Sequence, residues 1–320
     1  MRTVVTGAAG FIGSCLASRL LERGHDVVGV DMFTPLYALD AKKANLQPLA
    51  EHGSRFAFHE LDLRKAPLEP VTAGAEVVFH LAAQAGVRAS WGEAFHDYAG
   101  HNIVATQRLL EASQITGVPR VVFASSSSVY GEAERHPTPE DVEARPISPY
   151  GVSKLAAEHL LRAYHAQFGL AFTALRYFTV YGPGQRPDMA FHRFIAAAIE
   201  GRPIAVYGDG EQSRDVTFVD DAVEATIAAA TAHGVDGLAV NVGGGSRVSV
   251  NEAVAAIGRE VGRELRVERG APVPGDVRDT SADLSRAREL LGYAPAVGIE
   301  EGLRREVAWL RERLPLYVGG

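Results

Sequence analysis

Apolar and polar positions fall in short blocks that change period along the chain. Arg2 to Thr6 is a brief apolar strand, and the glycine-spaced Gly7-Ala8-Ala9-Gly10-Phe11-Ile12-Gly13 follows at once. Ser14 to Arg23 then carries a helical period, with Gly24 as its stop. Val27 to Val30 predicts a second strand ending at Asp31, and Phe33 to Leu46 a longer connection running into a helix. Arg55 to Glu60 and Val77 to Leu81 predict strands three and four; His101 to Thr116 predicts the helix before a fifth apolar run, Val121 to Ala124. A helix carrying Tyr150 and Lys154 runs on to Phe168, and Phe172 to Tyr177 is another strand. Strand and helix in strict alternation predict an α/β fold with a parallel, doubly wound sheet.

That rhythm breaks after Tyr177. Thr179 to Ala190 gathers Gly and Pro, so the boundary is set at residues 178 and 179. Residues 1–178 are expected to form a nucleotide-binding domain of Rossmann type, with a return segment near 216–243. Residues 179–320 are expected to form a smaller α/β domain for substrate. Within it Phe191 to Glu200 reads as a helix, Ile204 to Gly210 as a hairpin, and Gly270 to Asp283 as a loop.

Composition narrows the function. The chain has 320 residues, 47% of them hydrophobic and 22% charged, which suits a soluble protein with a full core. A net charge of -7 without a basic block argues against nucleic acid as a partner. Cys15 is the single cysteine, which excludes an internal disulfide and a cysteine-based metal site, so no metal is expected. Neither a leader-like start nor an apolar run of about 18 residues is present, so a cytoplasmic protein without a membrane partner is expected.

The candidate chemistry sits on two features. In the first, the glycine spacing G-x-x-G-x-x-G gives a tight turn, a backbone that can approach pyrophosphate, and a helix N-terminus aimed at phosphate. Asp31 ends the next strand, where an acid accepts from the adenosine 2′- and 3′-hydroxyls and repels a 2′-phosphate, favouring NAD over NADP; an ordinary turn residue is the alternative. Asp62 stands ready for the adenine amino group or as a helix cap, and His80 reads as a packing histidine rather than a base. In the second, Tyr150 and Lys154 share one helix face. There the ammonium is expected to pull the phenol down from its ordinary value of about 10 and make it a general base. Ser125 to Ser128 emerge at the end of the Val121 strand, the edge where open α/β sheets bind ligands.

Together Gly7 to Gly13, Ser127-Ser128-Val129-Tyr130-Gly131 and Tyr150-x-x-x-Lys154 resemble the extended short-chain dehydrogenase/reductases that act on nucleotide sugars, over essentially the whole chain. Gln84 to Arg88, Phe178 to Pro183 and Arg186 to Ala190 most resemble the UDP-glucuronate 4-epimerases among them. The resemblance implies bound NAD, contacted by Gly7, Gly10, Phe11, Ile12, Gly13, Asp31, Lys43, Asp62, Leu63, Leu81, Ala82, Ala83, Tyr150, Lys154 and Tyr177. It implies Tyr150 as the base at the sugar 4-hydroxyl, Lys154 as its partner and holder of the nicotinamide ribose, and Ser126 as the hydrogen bond to the 4-oxygen. It also implies a UDP-sugar held by Arg88, Ser126, Ser127, Ser128, Tyr150, Thr179, Arg186, Arg214 and Asp276, and a homodimer through helices 101–116 and 151–168.

The same resemblance separates reactions. Related 4,6-dehydratases carry Asp-Glu where this chain has Ser127 and Ser128, and decarboxylases keep a Glu at the Ser128 position. UDP-galactose 4-epimerases usually have Asn at the Thr179 position. A 4-keto glucuronate is a β-keto acid prone to lose CO2, so its carboxylate must be clamped; Thr179, Ser127, Ser128 and Arg186 are the expected clamp, with Arg186 supplying charge-assisted bonds. For Arg186 a phosphate contact or a loop salt bridge is the alternative. Met32, where the family commonly has Asn, is a departure beside the adenosine ribose.

Overall fold

In the computed structural model, which describes residues 1–34, 36–271 and 275–317, the strands are β1 (Arg2–Thr6), β2 (Asp26–Asp31), β3 (Phe56–Glu60), β4 (Val77–His80), β5 (Arg120–Ser126), β6 (Ala171–Tyr177), β7 (Thr179–Tyr181), β8 (Ile204–Tyr207), β9 (Ser213–Phe218), β10 (Leu238–Val242), β11 (Arg247–Ser249) and β12 (Val267–Gly270). Seven of them form one sheet in the order β10-β6-β5-β4-β1-β2-β3, and every pairing in it is parallel. Successive side chains of a strand point to opposite faces. Accordingly Val4, Val78, Val121 and Phe123 enter one core cluster, while Val5, Phe79 and Val122 enter the other. A sheet apolar on both faces needs helices on both.

The order reverses between β1 and β4, and the ligand-binding crevice of such a sheet opens at that point, beyond the carboxyl ends of the strands. The helix Pro149–Phe168 carries Tyr150 into it. Ser148 caps this helix by accepting from the Gly151 amide at 3.1 Å, Pro149 opens it, and Gly169 closes it in the left-handed conformation.

Several expectations change here. The return segment expected near 216–243 does enter the sheet, at Leu238–Val242, but its first residues, Val216–Phe218, belong to a smaller sheet of order β11-β9-β7. Ile204 to Gly210 is not a hairpin: β8 pairs in parallel with β12, from Ile204 with Val267 to Tyr207 with Gly270. The helix expected from His101 begins earlier, as Phe95–Tyr98, a wider π turn Ala99–Val104, and Ala105–Ile115. Parts of the Phe33 to Leu46 connection and of the Gly270 to Asp283 loop lie outside the described residues.

Candidate active site

The glycine-spaced loop is one wall of a deep cleft. The Gly7 amide donates to Val30 O at 2.7 Å and the Gly10 amide to Gly7 O at 3.0 Å, which folds the loop back over the ends of β1 and β2. A Cβ on Gly13 would stand 2.0 Å from Gly7 O, so only glycine lets the helix approach this closely. The helix Phe11–Glu22 starts at Gly10 without a side-chain cap, leaving its first amides open to an anionic group. Asp31 accepts from the Ala9 amide at 3.2 Å and the Phe33 amide at 2.9 Å, which aims its carboxylate along the cleft. Gly7, Gly10, Phe11, Ile12, Gly13 and Asp31 all line this chamber. A backbone cradle that a Cβ would fill, an uncapped helix and a carboxylate fit a dinucleotide.

Leu63, Leu81, Ala82 and Ala83 line the opposite wall, and Tyr150, Lys154 and Tyr177 the far end. Two expected contacts stand outside the chamber lining. Lys43 is exposed; its neighbour Lys42 is the buried lysine that lines the chamber, donating to Thr34 O at 2.8 Å beside the Tyr37 ring. Asp62 is drawn away by Arg64, whose amide and guanidinium hold its carboxyl below the usual range, and only its neighbours Leu61 and Leu63 reach the chamber. Local capping chemistry decided its place. Thr34, Tyr37, Lys42 and His101 are lining residues that the sequence reading missed. His101 sits in the π turn, and such turns gather at functional sites.

His80 is a packing histidine, 1% exposed between Thr6 and Thr106. Thr106 already donates to Asn102 O, so the Nε2 of His80 carries the proton and Nδ1 accepts from Thr6. Burial pushes its pKa down to about 3. Asn102 extends this neutral network, bonding both backbone groups of Gln84 and the Ser153 hydroxyl, and so ties the fourth strand's loop to the tyrosine helix.

At the reacting end the expected pairing is corrected. The Lys154 ammonium donates to Ala124 O at 2.8 Å and lies over the Phe123 ring. Burial pulls Lys154 down to about 7, against the attraction of Glu158. Burial raises the Tyr150 phenol, and what opposes the rise is the Ser126 hydroxyl and the Arg186 guanidinium rather than Lys154. Beneath them the Ser125 hydroxyl donates to Glu158 at 2.6 Å, and Arg176 closes on the same carboxylate at 2.9 and 2.7 Å, fixing β5 and β6 to the helix.

A second chamber begins where the first ends: Ser125 lines one, Ser127 and Ser128 the other, with Ser126 between them. Thr179, Arg214 and Asp276 join Ser127 and Ser128 in its lining. Arg88 caps it, paired with Asp276 at 2.6 Å and lying over the Tyr207 ring. The four expected clamp residues are therefore divided. Arg186 stands in the dinucleotide chamber, bonded to Asp188 at 3.0 Å, while the three hydroxyls line the substrate chamber. Among the described residues no cluster of His, Cys, Asp or Glu could hold a metal ion, and no helix is long and apolar enough to cross a membrane.

Comparison with known proteins agrees with this geometry. The model of the NAD dependent epimerase/dehydratase family matches residues 3–243. A protein of Bacillus subtilis (strain 168) named an uncharacterized UDP-glucose epimerase is 44% identical over 320 residues, covering 100% of both chains. The UDP-glucuronate 4-epimerase of Thermodesulfobacterium geofontis (strain OPF15) is 39% identical, over 98% of this chain and 97% of its own. The crystal structure of the UDP-glucuronic acid 4-epimerase from Bacillus cereus with UDP-glucuronic acid and NAD superposes with a TM-score of 0.95 at 41% identity, covering 98% of this chain and 99% of that one.

Proposed function

The chain belongs to the NAD dependent epimerase/dehydratase family, and from that premise we propose that it interconverts UDP-glucuronate and UDP-galacturonate. The observation that carries the reading is the strip Ser126-Ser127-Ser128 with Thr179 at the mouth of the substrate chamber. It offers hydroxyls to a sugar carboxylate and no acid for eliminating water or assisting decarboxylation.

NAD, when bound, supplies the hydride acceptor for C4 and returns that hydride. The chain's own groups handle the proton and the orientation. Tyr150, deprotonated with the help of the Ser126 hydroxyl and the Arg186 guanidinium that oppose the rise burial imposes, takes the 4-hydroxyl proton as C4 is oxidised and gives it back on reduction. Ser126 holds the 4-oxygen. Ser127, Ser128 and Thr179 hold the carboxylate so that its C–C bond stays out of line with the ketone π orbitals, which suppresses loss of CO2 from the 4-keto sugar. Arg214 and Asp276 anchor the nucleotide while the sugar turns, and Arg88 takes the diphosphate.

Two further parts of the reading are a cytoplasmic location and a homodimer. Supporting the dimer, Phe95, Val104 and Ile115 on one helical run and Val152 and Phe168 on Pro149–Phe168 are large apolar residues exposed to solvent. Val104→Asp should move the protein to monomer size in sedimentation; an unchanged size would remove the dimer from the reading.

The deciding experiment incubates the purified protein with UDP-glucuronate and no added NAD, following the sugar protons by NMR. The galacto-configured acid is the expected product. A UDP-pentose with CO2 would make the chain a decarboxylase. The relative named a UDP-glucose epimerase supports a second reading, a 4-epimerase for uncharged UDP-hexoses; turnover of UDP-glucose alone would favour it.

A further inference from the structure

Arg186 reaches the cleft on a loop, Gly182 to Asp188, that is pinned along its length. The Gln185 amide donates to Gly182 O at 3.0 Å, its side chain donates to Val180 O at 3.1 Å and accepts from the His192 amide at 2.8 Å, and Arg186 closes on Asp188. The root of the loop is held from elsewhere. The Gly182 amide donates to Oε2 of Glu306 at 3.0 Å.

Glu306 lies in the helix Ile299–Arg313 and is 0% exposed. One turn earlier, a Cβ on Gly302 would stand 2.1 Å from the Tyr181 hydroxyl, so this helix lies directly against β7 and the start of the loop. The second carboxyl oxygen of Glu306, Oε1, is buried without a hydrogen-bond partner among the described residues. The nearby Arg305 pairs with Glu301 and Asp220 instead. A carboxyl that accepts one N–H and has no cation paired with it among the described residues is an expensive group to bury as an anion. Nothing in packing alone calls for it.

We propose that Glu306 is a positioning residue for Tyr150: it roots the Gly182–Asp188 loop and so sets where Arg186 stands beside the phenol. The proposal rests on the epimerase reading for its kinetic consequences, though not for its structural ones. Glu306 acts as a neutral acid whose carbonyl oxygen accepts from Gly182. Burial drives its carboxyl well above the ordinary range, and the groups around it, the Tyr181 phenol with Asp221 and Arg305 beyond, supply no compensating partner. Glutamine keeps the acceptor and the shape; leucine keeps only the volume.

The test is the Tyr150 titration in the NAD-containing protein, read as phenolate absorbance against a Tyr150→Phe counterpart of each variant. Glu306→Gln should leave it in place and keep kcat within about twofold of the parent. Glu306→Leu, by loosening Arg186, should move it upward by about half a unit or more. It should also lower kcat about tenfold with KM for UDP-glucuronate little changed. A leucine variant that titrates and turns over like the parent overturns the proposal, as does a glutamine variant displaced as far as leucine. Should Glu306→Leu fail to fold, infrared difference spectra of parent and Glu306→Gln decide. A protonated-carboxyl band at neutral pH that vanishes in the glutamine variant supports the anchor, and a carboxylate band overturns it. A parent protein inert toward UDP-glucuronate would overturn the UDP-glucuronate reading and leave the absorbance titration to judge Glu306.

Discussion

The dinucleotide chamber and the substrate chamber meet at Ser126 yet are braced differently. The first has charged groups in its lining, Asp31, Lys42, Lys154 and Arg186, but is held by the glycine cradle and an uncapped helix and backed by the neutral Thr6–His80–Thr106–Asn102 network. The second is closed by charges: Arg88 paired with Asp276 over Tyr207, with Arg214 beneath. Neutral buried networks are worth most when every member is satisfied, and they rigidify. Part-exposed ion pairs are cheap to open and re-form. A cofactor that stays bound through each cycle suits the first construction, and a substrate that enters and leaves suits the second.

The largest effect should fall where the chambers meet. Tyr150→Phe removes the proton acceptor without disturbing the cradle, so kcat should drop by about 10^3-fold while the 260-nm absorbance of retained NAD persists. If NAD were lost as well, the tyrosine would belong to the cradle and the division between the chambers would blur.

Acid should attack the neutral network next. His80 binds a proton at 6.5 when unfolded and only near pH 3 when folded, so the unfolded state holds more protons between those values and stability falls as pH drops through that window. The full displacement corresponds to on the order of 5 kcal/mol. His80→Gln should flatten that part of a stability-against-pH curve from denaturant melts; an unchanged slope would show that acid sensitivity lies elsewhere.

The charged chamber should respond through binding. Arg88→Ala strands Asp276 and removes a diphosphate contact, so KM for the UDP-sugar should rise about tenfold or more with kcat and NAD content little altered. High salt should reproduce part of that rise in the parent, since exposed pairs are screened. A fall in kcat at constant KM would place Arg88 in the chemistry instead.

The two halves also differ in how much the sequence disclosed. The glycine spacing, Asp31, and the serines and small residues at the carboxyl ends of β5 and β4 are consequences of neighbouring residues, so periodicity and local turn chemistry revealed them. Six strands of the parallel sheet were legible for the same reason, and the seventh, Leu238–Val242, only as part of a return segment. What escaped was long-range. The β8 strand seemed a hairpin because its partner, β12, begins at Val267. For Arg186 the loop sequence leaves a carboxylate clamp and a loop salt bridge both open; the pair with Asp188 is local, but the bond from the Gly182 amide to Glu306, at the far end of the chain, is not. The direction of Lys154 depended on an acceptor, Ala124 O, that one-dimensional spacing does not display.

The smallest test concerns a single step of helix phase. Leu39–Ala50 turns Lys42 inward and Lys43 outward. An offset of one residue is about 100° of rotation on a helix, so the motif alone could not choose between two adjacent lysines. Lys42 is 4% exposed, and its ammonium is already engaged by Thr34 O at 2.8 Å and Thr34 Oγ1 at 3.2 Å. Its removal should therefore loosen the Thr34–Tyr37 wall more than it removes a charge from the ligand. Lys42→Met should weaken NAD by only a few-fold, about 1 kcal/mol, and Lys43→Met should stay within about 0.5 kcal/mol of the parent, both read from fluorescence titration of NAD-depleted protein. Equal effects at the two positions would mean that the ammonium's field, not the built wall, is what the cofactor feels, and the chamber would owe more to its charges than to its hydrogen bonds.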